Sequence, residues 1–246
     1  MIQRILIALS VLVGSSAPVQ ADATLVSDIS AHRIGITSSY TGTELLLFGA
    51  MGEGGGDVVI VIRGPDQDLN VRRKGRVGGI WINTEAVSYS GVPGFYAVAS
   101  NRPLAEIASP RVLRRNGIGI ENLRFTGEAT NADAPDPFAS AIRRRRAENG
   151  LYSLDEGAVS VIYNRLFRAD IPFPANVPVG NYNALIYLFQ DGQVVVGETK
   201  PIIIDKSGME RAIYIFAQRQ PALYGIFAVI VACLAGWGAA QFFRKR

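Results

Sequence analysis

Short apolar runs separated by turn residues fill the chain from Leu25 to Ser100, the pattern of an antiparallel β-sandwich. The runs Ile34 to Thr37, Glu44 to Phe48, Val58 to Ile62, Ile80 to Asn83 and Phe95 to Ala99 predict strands. Gly52-Glu53-Gly54-Gly55-Gly56-Asp57 is too rich in glycine to hold a strand and predicts an exposed, mobile loop. The period then changes. Asp136-Pro137, followed by Phe138, Ala141, Ile142, four arginines and Gly150, supplies a cap, a first-turn proline, late cations and a glycine stop, and predicts a helix. Ser109-Pro110 to Gly117 repeats that pattern more briefly, with Val112 and Leu113 as its apolar part. Gly127 to Pro135, rich in Asn, Ala, Asp and Pro, predicts a linker. Strand patterning returns at Ala158. Tyr182 to Phe189 and Val194 to Thr199 flank Asp191-Gly192, a pair suited to a tight primed hairpin turn. Pro178-Val179-Gly180-Asn181-Tyr182 leads into that hairpin like the start of a central immunoglobulin-like strand, and Val92-Pro93-Gly94-Phe95-Tyr96 echoes it.

The two ends carry a different pattern. Pro221 to Phe243 contains no charge and is followed by Arg244-Lys245-Arg246. At about 1.5 Å per residue such a helix covers about 33 Å, enough to cross the hydrocarbon layer with modest tilt. Met1 to Ala21 reads as a secretory signal, with Arg4 as the positive start, Ile5 to Val13 as the apolar stretch and Val19-Gln20-Ala21 as the cleavage pattern. An exported amino end and a basic carboxyl end place 22–220 outside the bacterial inner membrane, in the periplasm, and 244–246 in the cytoplasm. Ser207-Gly208-Met209-Glu210 has capping-box spacing and predicts a juxtamembrane helix that kinks or stops at Pro221.

The expected organisation is therefore mainly β: a signal peptide (1–21), a first β-sandwich region (22–100), a helical and linker segment (101–156) and a second β-rich region (157–206). A juxtamembrane helix (207–220), a transmembrane helix (221–243) and a cytoplasmic tail (244–246) complete it. Whether the β regions form one sandwich or two is open at this level.

Charge and cysteine content narrow the function classes. Arg4 and Arg244-Lys245-Arg246 account for four of the 25 basic residues, which leaves the exported part balanced at 21 basic against 21 acidic. Nucleic-acid binding thereby loses its electrostatic footprint. The one cysteine, Cys233, falls inside the apolar span, so no intramolecular disulfide and no lipidated amino end is expected.

The chemistry-bearing residues form no recognisable catalytic or metal motif, and neither an enzyme nor a cofactor is expected. His32 is the only histidine and falls in phase with Ile34 and Ile36, which reads as a rim or core residue. Asp66, Asp68 and Asn70 match the first three ligand positions of a calcium loop, but Val71 and Val77 stand where glycine and glutamate belong. The Gly52 to Gly56 loop lacks the lysine and hydroxyl of a phosphate cradle. Arg143, Arg144, Arg145 and Arg146 cover every side of a helix, so some must turn toward the protein. The run is read either as a solvated, partly paired face or as a contact for anionic headgroups or an acidic partner. Arg72-Arg73-Lys74 with Arg76 is a second basic cluster, near which Trp81 and Tyr89 are candidate exposed aromatics, although Trp81 between Ile80 and Ile82 also suits core packing. Ala228, Ala232, Gly236 and Ala240 recur every four residues and draw one small-residue stripe along the terminal helix, the feature that lets membrane helices approach closely.

Pro93-Gly94-Phe95-Tyr96 leading to Asn101-Arg102-Pro103-Leu104, Leu166-Phe167-Arg168-Ala169, the Pro178 to Tyr182 segment and the Gly208 to Tyr224 approach to a terminal span resemble a family of alphaproteobacterial transmembrane proteins. The resemblance covers nearly the whole mature chain. It implies topology rather than catalytic residues, and neighbouring permeases resembling sulfite exporters as a candidate partner class. The expected function is an accessory or scaffold protein of an inner-membrane complex, with an integral-membrane protein as partner. The alternative is a tethered binding module for peptidoglycan, a polysaccharide or a small organic anion. The oligomeric state is not fixed by any of these patterns.

Overall fold

The alternation of apolar and polar residues from Leu25 onward is realised as β1 (Leu25–Ile29), β2 (Arg33–Ile36), β3 (Gly42–Met51), β4 (Asp57–Arg63), β5 (Asp66–Val77), β6 (Ile80–Pro93) and β7 (Tyr96–Ser100). Two short helices follow, α1 (Leu104–Ile107) and α2 (Pro110–Arg115), then α3 (Pro137–Glu148). The chain continues through β8 (Tyr152–Glu156), β9 (Ser160–Ile162), β10 (Leu166–Pro174), β11 (Gly180–Gln190) and β12 (Gln193–Lys206) to α4 (Pro221–Arg244). These elements come from a computed structural model that describes residues 24–127, 136–207, 214 and 216–244. The signal segment, the linker after Gly127, the body of the juxtamembrane capping box and the last two residues lie outside the described residues.

Three sheets result. One has the order β1-β3-β10-β9, a second β2-β12-β11-β4-β7-β8, and β5-β6 is a separate two-stranded ribbon. Both larger sheets take strands from 24–100 and from 152–206, so strand pairing crosses the boundary drawn between the two β regions. The protein is mainly β as expected, but the larger sheet departs from a purely antiparallel pattern. Its edges, β2 on β12 and β8 on β7, pair in parallel. Parallel neighbours need long crossovers, and the helical segment between β7 and β8 supplies one of them.

The core lies between the sheets. In β10 the residues Phe167, Ala169, Ile171 and Phe173 are buried and their neighbours exposed, the signature of a half-covered strand. Phe173 stacks on Phe95 with ring centroids 5.0 Å apart, and Tyr182 closes the cluster at 5.9 Å from each. The two proline-glycine-aromatic segments thus pack together, Phe95 from one and Tyr182 from the other. β4 is buried from Val58 to Ile62, as a central strand covered on both faces must be. Its second cover is the helical segment: the Tyr96 hydroxyl donates to the Gly117 carbonyl at 2.7 Å and accepts from the Gly119 amide at 3.0 Å.

Local signals hold where chemistry dictates them. Asp136 caps α3 by accepting from the Phe138 and Ala139 amides at 2.9 and 3.3 Å. Asp191 and Gly192 take φ of 49° and 74°, the left-handed pair of a primed turn. The glycine-rich segment is a loop with Glu53 and Gly54 exposed, as expected, but its exposure is corrected at Gly55. Gly55 is buried, the Gln190 side chain donates to its carbonyl at 2.7 Å, and a Cβ there would stand 2.0 Å from Asn164 Nδ2. Glycine is required by close approach and by a φ of +59° rather than by exposure.

Candidate functional site

α4 carries the longest apolar surface of the described residues. Pro221–Ala240 has a mean hydropathy of 2.0 and none of it is buried against the rest of the chain. Ala228, Ala232, Gly236 and Ala240 all lie exposed on it, and a Cβ built on Gly236 would meet nothing within 4 Å. At i, i+4 spacing they share one face. Cys233 is exposed on the same helix. A turn of helix precedes it, and Gln220 is non-helical although its amide still bonds the Phe216 carbonyl at 3.0 Å. Pro221, which has no amide proton to give, marks the interruption expected there.

The arginine run divides by side. Arg143 is buried, its Nη2 donates to the Leu123 carbonyl at 2.6 Å and its guanidinium lies 4.9 Å from the Phe125 ring centroid. Arg146, three residues on, reaches Gln67 at 2.6 Å. Arg144 and Arg145 face outward and pair with Glu148 at 3.8 and 3.2 Å. The two basic clusters of the sequence meet here: a groove of about 560 Å³ between β5 and α3 is lined by Arg72, Arg144, Arg145 and Arg146 with Asn70 and Asn149. Sequence spacing gave no sign of this meeting, because it depends on α3 lying along the ribbon.

The ribbon itself separates the two candidate aromatics. Tyr89 is buried and donates to Asp136 at 2.8 Å, so it is no ligand platform. Trp81 is 67% exposed at the far end. Asp66 and Asn70 sit on β5, paired with Pro93 and Ser88, within an extended strand rather than a cation-binding loop. The only local signal of the ribbon is the Gly78-Gly79 turn; the structure shows Leu69 and Val71 opposing Tyr89 and Val87 across it. His32 is exposed, 3.7 Å from Asp28, which makes it a rim residue. No group of three or more metal-binding side chains occurs among the described residues.

A second surface is apolar. Val26, Phe48, Ile162 and Leu166 project from the outer face of the four-stranded sheet and line a groove of about 510 Å³. Polar networks elsewhere are structural. Arg102 grips the Asp57 carboxylate through Nε at 2.8 Å and through Nη2, Asn101 donates to the same carboxylate at 2.9 Å, and together they hold its pKa below the usual value. Burial pushes the Tyr152 phenol up to about 12, while its hydroxyl donates to the Pro93 carbonyl at 2.8 Å.

Among the described residues, a β-sheet body is joined to one exposed apolar helix of membrane-crossing length, the make-up of a transmembrane protein. The family model described as "Putative transmembrane protein (Alph_Pro_TM)" matches residues 24–245, and the chain belongs to that family. No curated protein and no solved structure matches the chain.

Proposed function

We propose that this protein is a membrane-anchored accessory or scaffold subunit that docks on an integral-membrane partner through α4. The observation that carries the reading is the exposed Ala228, Ala232, Gly236 and Ala240 face, which lets a second helix approach to backbone contact. The β region, an immunoglobulin-like sandwich in this reading, lies on the periplasmic side of the inner membrane after removal of the signal peptide. Its outer groove at Val26, Phe48, Ile162 and Leu166 offers the same partner a second contact. A transporter is the partner class we favour.

The test is crosslinking of the full-length protein in intact cells, purification in mild detergent and identification of stoichiometric companions by mass spectrometry. An integral-membrane protein is expected with the unaltered chain and is lost with the Ala232→Leu/Gly236→Leu variant. Recovery of the chain alone overturns the accessory role. It favours instead a tethered binding module for a small organic anion, the reading supported by the groove that gathers Arg72, Arg144, Arg145 and Arg146.

A further inference from the structure

The β5–β6 ribbon ends in a surface that none of the described elements covers. Val77 is 55% exposed, Ile80 68%, Trp81 67% and Ile82 46%. Between them Gly78 and Gly79 take φ of 59° and 89° with nothing within 4 Å of either built Cβ, so the turn stands free. Lys74 and Arg76 flank it, and no acidic residue occurs from Lys74 to Thr84.

Cross-strand register decides what such a tip can meet. Val77 opposes Ile80, and Ile82 lies on that same face. Trp81 opposes Arg76 on the other face. Apolar side chains on both faces of a two-stranded ribbon do not make one flat patch for a protein partner. They fit a medium that surrounds the tip.

The topology points that tip's root toward a bilayer. β4 and β12 both run antiparallel to β11, so both end at the same edge of the sheet. From the end of β12 the chain passes on to the membrane-crossing helix. From the end of β4 it passes into the ribbon, because the β4–β7 ladder continues through Gly64 and Gly94, whose amides bond the Phe95 and Pro65 carbonyls at 2.8 Å each. β5 has 12 residues and reaches about 40 Å at about 3.3 Å per residue. The stretch from Ser207 to Pro221 spans at most about 50 Å fully extended. The two lengths are comparable, so the ribbon can reach a bilayer that holds α4 unless that stretch is close to full extension.

We propose that the Val77–Ile82 tip is an interfacial membrane anchor, Trp81 and the isoleucines seated at headgroup depth and Lys74 and Arg76 drawn to anionic lipid. The unpaired edges of the ribbon limit the depth, since open backbone groups are not tolerated in hydrocarbon. The anchor rests on the membrane character of α4 and not on any protein partner.

The experiment uses the full-length chain with Trp237→Phe, which leaves Trp81 as the only tryptophan, in phosphatidylcholine–phosphatidylglycerol vesicles containing no other protein. Trp81 emission is expected to shift to the blue, to be quenched by lipids brominated on the acyl chain and to be shielded from aqueous iodide. Lys74→Glu with Arg76→Glu weakens partitioning of the tip by more than about tenfold, at an unchanged melting temperature. Trp81 open to iodide and untouched by brominated lipid overturns the anchor, and is the result a protein-docking tip would give. Because no partner is present, this outcome is separable from failure of the accessory role, which is read by co-purification.

Discussion

Arg143 and Arg144 are adjacent in the chain and opposite in surroundings. The first is buried over Phe125 with a hydrogen bond to the Leu123 carbonyl, the second stands in solvent beside Glu148. Replacing Arg143 by alanine strands a buried carbonyl and empties the space over a ring, a loss of about 2–4 kcal/mol. Arg144→Ala should leave stability unchanged, and denaturant titration of the two variants separates them. The buried tyrosines give a pH signature. In the unfolded chain Tyr152 ionises at 10.0, in the folded protein only near 12. Its contribution is fully present below pH 10 and is lost as pH rises through 12. Tyr96 and Tyr182 shift in the same direction for the same reason, burial. The melting temperature should hold steady up to about pH 10 and fall above it, and Tyr152→Phe should flatten part of that fall. A profile that declines evenly from neutral pH would contradict the assignment.

At the scale of elements, legibility followed local chemistry. α3 was readable to within a residue or two because its cap, first-turn proline and glycine stop all act within one turn. The β11–β12 hairpin was readable because Asp191-Gly192 forces the turn whatever surrounds it. β5 was not. Its alternation is carried only by Leu69 and Val71 among charged residues, so the strand is specified by its partner β6 and by α3 lying alongside, with Arg73 4.7 Å from the Phe138 ring centroid. The arginine groove was hidden for the same reason, as neither cluster contains information about the other's position. The small-residue stripe on α4 was legible outright, because helical period alone puts four residues on one face.

For the whole molecule the aromatic cluster is the joint. Phe173 comes from the four-stranded sheet, Tyr182 from the six-stranded one, and Phe95 from the bend where the ribbon leaves. Phe173→Ala should cost about 3–5 kcal/mol and shift a single transition rather than split it, since both sheets lose the same contact. Two successive transitions in circular dichroism would mean that the sheets fold separately. The sequence by itself determined most of the central strands, the capped helix α3, the β11–β12 turn and the apolar span, because hydrophobic period, capping and turn residues act over a few neighbours; β1, β5 and β8 lack so strong a local signal. Only the tertiary structure decided that strands from both β regions share each larger sheet, that Arg72 faces Arg144, Arg145 and Arg146, and that the ribbon and the route to α4 leave one end of the sheet. The shared sheets are set by pairing between strands more than a hundred positions apart, β3 with β10 and β4 with β11, and the arginine groove by a helix packing on a distant ribbon; no local pattern records which partner an element will find.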